Sequence, residues 1–478
     1  MFKALKLFRY RPARDPQPPR LADERRWYTE HTALLISTFK WAFLGAVAGL
    51  CVGLGTRAFL WALKASDDWV GRIRLGPLPS YMLLPIALPA CVWLIRTFAP
   101  TAKGHGTEAV IAAVHQRSGK IDWKVAPIKL LATVLTLAFG GSVGKEGPCA
   151  QIGAAISSFF ADVLRLNDED RRRLVICGIS GGFAAVFGTP VSGALFGIEV
   201  LYLGRIEYSV LFPCLVSGIV AHLVCGVRAP VPALHEALGS FQQSEFLLIV
   251  IATGVAFGLV ALLLIEAMRA LEKGFRRFEH HPYGIACAGG IFLALFYSVV
   301  GPSYAGLGTS TINAALSGSA QIAVLAFLWK IVASSMTLES GGSGGIVTVL
   351  FFIGSTSGAT LARLFHLPIG AFAAFGFVAV VAAAANTPIA ASVMGLELLP
   401  PGELGVYAAL AAGTAFLIVG HRSVYASQKI GLSKSAGLDV RMDVPFSELT
   451  RSGLRVRQGS LTERVLHGSS RSSDREPR

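Results

Sequence analysis

Charged side chains are scarce in this sequence of 478 residues, at 15% of the total against 53% hydrophobic residues. The mean hydropathy is +0.57. A soluble domain carries about 25% charged residues, so the composition excludes an ordinary soluble protein and predicts one that crosses a membrane several times. The lipid bilayer is then the solvent of this chain, and each charge inside it needs a reason.

Paired cysteines and metal-ligand spacings are also missing. The seven cysteines are odd in number and most lie in apolar segments, which excludes a disulfide framework and a zinc site. We expect no metal and no other cofactor. A phosphate loop is excluded because the lysine of "GGSVGKEG" precedes Glu146 instead of Ser or Thr. No nucleophile–base pair of an intramembrane hydrolase stands out, so we expect no enzyme.

Basic residues concentrate at the two ends of the chain, which has a net charge of +14. This pattern argues against nucleic-acid binding, which needs a basic and aromatic platform. By the positive-inside rule it predicts that both termini are cytoplasmic, in a multi-pass protein of the cell inner (plasma) membrane. We therefore predict a basic cytoplasmic segment over 1–31, a membrane domain over 32–433, and a disordered cytoplasmic tail over 434–478. No signal peptide is recognisable at the start.

The membrane domain contains an internal repeat. The 26 residues from Lys129 align with those from Lys330 at an offset of 201, with ten identical positions. A second pair, "GTPVSGALFGIE" from Gly188 and "NTPIAASVMGLE" from Asn386, aligns at an offset of 198. The chain therefore has two related halves, about 80–227 and about 283–420. Broken helices at matching places in two repeats indicate a transport site at their interface.

The stretch "GGSVGKEGPCAQIG", which starts at Gly140, predicts such a break. Non-helical backbone at membrane depth must be buried in protein or line an aqueous pathway. Gly144 ends one helix, and Pro148 suits the first turn of the next. The free N–H groups of that turn attract an anion. Similar helix starts are predicted after Gly106 and Gly345, so three helix N-termini are expected to converge on one anion.

Four motifs now share an order and spacing with a known family. They are GHGTE at 104–108, GKEGP at 144–148, GGIVT at 344–348 and Tyr425 in "HRSVYASQ". Together they resemble the signatures of the CLC family of chloride channels and chloride/proton antiporters, over about residues 32–433. The resemblance implies an all-α polytopic membrane protein with two inverted-topology repeats of tilted and half-spanning helices. It also implies a homodimer with one pathway per subunit, of the prokaryotic type without CBS regulatory domains.

The resemblance assigns roles to individual residues. Glu146 becomes the gating residue and proton carrier, since a carboxylate at a helix N-terminus competes with an anion for the same donors. The expected anion-binding residues are His105, Gly106, Gly147, Ile346, Val347 and Tyr425. Lys129, Lys145 and Lys330 are expected to raise the electrostatic potential of the pathway, although Lys129 and Lys330 could instead pair with acids such as Glu199 or Glu339. Glu146 could also be a simple helix cap, Tyr425 an interfacial anchor, and His105 a structural histidine.

Two departures from the family pattern affect the predicted mechanism. His105 stands where the family offers a small hydroxyl residue, and Val200 stands where antiporters carry a second glutamate on the internal proton route. His105 and Glu199 are therefore the candidate proton relays. We predict transport of chloride or a similar small anion, as a chloride/proton antiporter gated by Glu146. A passive voltage-gated or pH-gated chloride channel is the alternative, followed by a fluoride-selective antiporter.

The family's dimer interface is predicted from the second repeated pair of segments. Both are rich in small residues, which let helices approach closely in lipid. Gly193 and Ala391 are the positions at which we expect contact with a second copy. The expected partners are thus small anions, protons, the lipid bilayer and a second copy of the chain.

Overall fold

The computed structural model describes residues 23–72, 79–227, 243–400, 404–449 and 453–467, and within them the chain is mostly helical. Six described helices are long and apolar enough to cross a membrane. They comprise Tyr28–Val70, Ser80–Phe98, Tyr208–Cys225, Ser244–Phe278, Pro282–Val300 and Val347–Leu364. Shorter apolar helices fill the space between them. The chain is therefore a multi-pass membrane protein, as its composition predicts.

The first half of the membrane domain starts with a long helix and continues with seven shorter ones. They are α1 (Asp23–Arg72), α2 (Leu84–Phe98), α3 (Thr107–Gln116), α4 (Val125–Ala138), α5 (Glu146–Val163), α6 (Asp168–Phe187), α7 (Pro190–Glu199) and α8 (Leu211–Cys225). A two-residue strand, β1 (Tyr202–Leu203), lies between the last two helices.

The second half repeats this order after the connecting helix α9 (Gln243–Phe275). Its helices are α10 (Pro282–Val300), α11 (Thr309–Leu316), α12 (Ala326–Glu339), α13 (Val347–Leu364), α14 (Ile369–Ala385), α15 (Pro388–Leu398) and α16 (Leu404–Ile418). The counterparts α4 and α12 both have 14 residues, α5 and α13 both have 18, and α8 and α16 both have 15. The repeat seen in the sequence is thus a repeat of structure.

Hydrogen bonds between equivalent positions show how the halves meet. The amide of Ser142 donates to the hydroxyl of Thr337 at 3.1 Å, and the amide of Ser343 donates to that of Thr136 at 3.0 Å. These two bonds exchange under the offset of 201. Such reciprocity indicates an approximate two-fold relation between the halves, as expected for two repeats that meet at their equivalent segments.

Two glutamates give the same reciprocity at the other repeated segment. The Glu199 carboxylate accepts from the amides of Ile389 at 3.1 Å and Ala390 at 2.7 Å, in the first turn of α15. Glu397 accepts in the same way at the first turn of α7. Each half therefore caps a helix of the other, because the first N–H groups of a helix lack partners of their own.

Glycines set the closest helix approaches in both halves. A Cβ placed on Gly153 of α5 would lie 2.3 Å from the carbonyl oxygen of Gly178 on α6. In the second half, a Cβ on Gly354 of α13 would lie 2.1 Å from the oxygen of Gly376 on α14. These distances exclude any larger residue without backbone movement, and they hold the helix that starts at each break firmly in place.

The prediction that Gly193 and Ala391 contact a second copy is wrong, because both residues are buried within the subunit. Gly193 of α7 packs inward, and a Cβ there would lie 2.5 Å from the amide nitrogen of Ala184 on α6. Ala391 of α15 is also fully buried within the chain. The small side chains of these segments therefore serve the approach of helices within one subunit, which the sequence pattern alone does not distinguish from contact between subunits.

The described part of the predicted tail, 434–449 and 453–467, contains secondary structure, whereas the sequence predicted disorder there. Just before the predicted tail, strand β2 (Lys429–Ile430) pairs in parallel with β1, and within the tail β3 (Leu438–Val440) pairs antiparallel with β4 (Leu454–Val456). A short helix, α17 (Leu461–His467), follows. Buried Leu203, Ile430 and Phe446 form a small apolar cluster under these strands. Composition alone misses this cluster because the apolar residues are few and spaced apart; residues 468–478 lie outside the described part.

Candidate anion-binding site

Three helix N-termini meet where the repeats join. Gly144 and Gly345 exchange backbone hydrogen bonds at 2.7 Å in each direction, just before α5 and α13. The backbone before α3 touches the same place, since a Cβ on Gly147 would lie 2.0 Å from the carbonyl oxygen of His105. Gly106 supplies the turn into α3 with a φ of +82°, which favours glycine. The predicted convergence of α3, α5 and α13 is present.

Glu146 is the first residue of α5 and is fully buried at this junction. Its Oε2 accepts a hydrogen bond from the amide of Thr348 at 3.1 Å, in the first turn of α13. Its Oε1 has no hydrogen-bond partner among the residues that the structure describes. The carboxylate of one half therefore occupies the N-terminus of a helix of the other half, where a bound anion would find its donors.

Three hydroxyl groups, at two of the helix starts and on Tyr425, have no partner among the described residues. Tyr425 is buried, and its hydroxyl lies against that of buried Thr107 at the start of α3. Within the described ranges neither of these hydroxyls has a hydrogen bond of normal geometry, and the same holds for the buried hydroxyl of Thr348. Buried polar groups are nearly always satisfied, so these orphaned hydroxyls indicate a place where an anion or water binds.

His105 contributes its backbone to the junction and leaves one ring nitrogen unused. The side chain is partly exposed, and its Nδ1 has no partner within the described part of the chain. A histidine ring nitrogen can donate to an anion or accept a proton. Either role predicted from the sequence is therefore open to it.

The repeat-related lysines bind backbone carbonyl groups. Lys129 Nζ donates to the oxygens of Ala102 at 3.1 Å and Gly104 at 2.6 Å. Lys330 Nζ donates to the oxygens of Tyr304 at 3.1 Å and Gly306 at 2.7 Å. The alternative in which they pair with acids is wrong for the described residues, where neither lysine forms an ion pair. Each holds the irregular backbone before α3 or α11.

Lys145 directly precedes Glu146 at the start of α5. It lines a cavity of about 140 Å³ together with Thr348, Thr309, Asn313 and several apolar residues. The cavity therefore offers one cationic and three polar side chains to an anion that approaches the gate. Thr348, whose amide binds the Glu146 carboxylate, is shared between this cavity and the gate.

The structure places the remaining predicted residues as follows. Ile346 and Val347 precede and begin α13, so their amides belong to the donors at its N-terminus. Both carboxylate oxygens of Glu199, the other predicted relay, cap α15. Two threonines are additions that the sequence reading missed, Thr107 and Thr348. The offset of 201 from Gly147 to Thr348 is the signal that identifies the latter.

Comparison with known proteins agrees with this geometry. The family model described as voltage gated chloride channel matches residues 86–420. A "Chloride/fluoride channel protein" of Pseudomonas syringae pv. tomato is 37% identical over 414 residues, which are 85% of this chain and 90% of that protein. The "H(+)/Cl(-) exchange transporter ClcA" of Salmonella typhi is 27% identical, over 74% of this chain and 80% of that protein. The crystal structure of a CLC-type fluoride/proton antiporter superposes with a TM-score of 0.75 at 28% identity, covering 82% of this chain and 98% of that one.

Proposed function

The chain belongs to the voltage gated chloride channel family, and on that premise we propose that it exchanges a small halide for protons, with Glu146 as both gate and proton carrier. The observation that carries this proposal is the position of the Glu146 carboxylate. It is buried at the joint of the two repeats, with one oxygen on the amide of Thr348 and the other unpartnered.

The gate follows from competition for one set of donors. An ionised Glu146 satisfies the amide of Thr348 and keeps an anion away from α13. Protonation removes the charge and weakens that hydrogen bond, because bonds to ionised acceptors are about twice as strong as neutral ones. The side chain then leaves, an anion takes its place, and the proton moves with the side chain. One group thus links anion occupancy to proton occupancy.

Exchange is favoured over a passive channel by the relatives that share the fold. Two of the compared proteins are named as an exchange transporter and as an antiporter. The buried, tightly packed junction also supports exchange, since Gly147 leaves no free space beside the His105 carbonyl. An open channel needs a continuous pathway past the gate.

We propose that the protein prefers fluoride to chloride, although the sequence alone predicted chloride as the main anion. The names of two relatives include fluoride, and one of them is 37% identical to this chain. The site offers the hydroxyls of Thr107, Thr348 and Tyr425, which have no partners among the described residues. Fluoride is the smallest halide and binds water most strongly, so its dehydration needs such strong O–H donors.

A second copy and the membrane orientation complete the proposal. Helices α7, α8, α15 and α16 expose large apolar side chains, which suit a homodimer contact or lipid. These include Val191, Phe212, Ile219, Ile389, Leu396 and Val406. We also propose that both termini lie in the cytoplasm and that the membrane is the inner (plasma) membrane, because the basic residues at the two ends follow the positive-inside rule.

Purified protein in liposomes tests the function. An imposed fluoride or chloride gradient should drive protons uphill, as recorded by halide and pH electrodes, with fluoride the faster anion. Empty liposomes and the Glu146→Gln protein are the controls. Protons that follow only their own gradient under every condition would establish the passive channel instead, and equal rates for both halides would remove the preference for fluoride.

A further inference from the structure

Glu146 is buried, so protons exchanged on the side on which Tyr425 lies reach it either through water or through a second titratable group. Position 200 carries a valine that is fully buried, and its carbonyl is bonded to the side chain of Gln428. Glu199 next to it has both oxygens engaged in capping α15. Neither is free to accept a proton and release it again.

Glu108, in the first turn of α3, differs from both. Its Oε1 accepts two hydrogen bonds from Ser427, from the amide at 2.9 Å and from the hydroxyl at 2.6 Å. Its Oε2 is buried without a partner in the described chain. One oxygen anchors the side chain and the other remains available, which is the arrangement of a carboxylate that takes up and releases a proton without losing its position.

The surroundings connect Glu108 to water on one side and to the gate on the other. The residue is half-buried and its neighbour Ala426 is exposed. Toward the gate, both Glu108 and Glu146 lie close enough to Tyr425 to act on it electrostatically. The Thr107 hydroxyl lies against that of Tyr425. The hydroxyls of Thr107 and Tyr425 are therefore the groups through which we expect a proton to pass between the two carboxylates.

We propose that Glu108 is the internal proton acceptor of this chain and serves in place of the missing acid at position 200. This inference rests on the proposed proton exchange. The titratable groups that face Glu108 are Glu272 from α9 and Tyr425 from the C-terminal segment. Glu272 is itself paired with Arg276 at 2.9 Å, which offsets its charge. His105, three residues earlier, is the competing relay.

Glu108→Gln separates a proton-carrying role from an anchoring one. The amide oxygen of Gln can still accept both bonds from Ser427, whereas it cannot titrate. We expect halide flux to stay within a few-fold of the wild type and the number of protons moved per halide to fall by about tenfold or more. Ser427→Ala is the matched control, because it removes one anchoring bond and keeps the carboxylate; it should retain coupling.

Halide and proton fluxes of four proteins in the same liposomes decide the matter: wild type, Glu108→Gln, Ser427→Ala and His105→Ser. Uncoupling in Glu108→Gln alone supports the inference. Normal coupling in Glu108→Gln overturns it, whether or not His105→Ser is uncoupled. If Glu108→Gln loses halide flux together with coupling, Glu108 is an anchor only and the inference is wrong. A wild-type protein that never moves protons uphill refutes the proposed exchange itself, and this inference with it.

Discussion

Both halves of the chain begin a helix after a glycine break, yet they place different chemistry there. Glu146 begins α5, whereas its counterpart Val347 begins α13. The next position is Gly147 in the first half and Thr348 in the second. The first half thus brings the charge, and the second donates the Thr348 amide to it at 3.1 Å. The symmetric backbone builds the junction, and the departure from symmetry makes it a gate.

The starts of α3 and α11, which precede these breaks in the two halves, also differ from each other. Gly106 lies directly on Gly147, so α3 reaches the junction. Its counterpart Gly308, which precedes α11, packs against the ring of Phe352 instead. In the second half the ring of Phe352 therefore lies between the start of α11 and the backbone of α13. In the first half the start of α3 contacts the backbone of α5 directly. The start of α3 thus brings His105 and Thr107 next to Gly147 at the junction.

The largest expected effect comes from a side chain at Gly147. A Cβ there would lie 2.0 Å from the His105 carbonyl oxygen, so Gly147→Val should force α3 and α5 apart. Overpacking costs roughly 1–3 kcal/mol or more, and we expect loss of transport together with a lower melting temperature. Thr348→Val, at the equivalent position, is the control and should fold normally. A Gly147→Val protein with wild-type transport would show that the halves do not differ in this way.

The two buried lysines give the next effect. Lys129→Met and Lys330→Met should each lower thermal stability, because each leaves two carbonyl oxygens without their donor, at about 1–3 kcal/mol per buried group. Transport should respond unequally. Lys129 holds the backbone next to His105, so we expect its loss to weaken halide binding, whereas Lys330→Met should affect stability alone. Melting curves and flux titrations measure both, and equal changes in halide affinity would contradict the asymmetry.

The reciprocal glutamate caps should behave alike. Glu199→Gln and Glu397→Gln each keep one acceptor oxygen and lose the charge at a helix N-terminus, at a cost of about 0.5–2 kcal/mol. Proton coupling should be unchanged in both. If Glu199→Gln alone uncouples proton from halide transport, Glu199 relays protons in addition to capping α15.

The smallest effect is expected from the hydroxyl of Thr348. Thr348→Val keeps the amide that binds Glu146 and removes one donor to the anion, worth about 0.5–1.5 kcal/mol. Halide flux should fall a few-fold, more for fluoride than for chloride, with the proton ratio preserved. An unchanged preference between the two halides in competition assays would exclude this hydroxyl from the site.

The fold and the centre of the site were predictable from the sequence because they rest on the repeat and on helix breaks. The offset of 201 aligns Gly144 with Gly345, and these residues do join the halves. The roles of Lys129 and Glu199 were not predictable, since their partners are backbone groups that no residue type reveals. Glu108 escaped attention for a related reason: its anchor, Ser427, lies 319 residues away in the chain.

The pH dependence of halide flux in Glu146→Gln tests the central claim most directly. Glutamine removes the charge that competes with the anion and cannot carry a proton. We predict halide flux equal to or faster than that of the wild type, independent of pH, and no uphill movement of protons. A Glu146→Gln protein that keeps the pH profile and the proton coupling of the wild type would contradict the assignment of Glu146 as the gate.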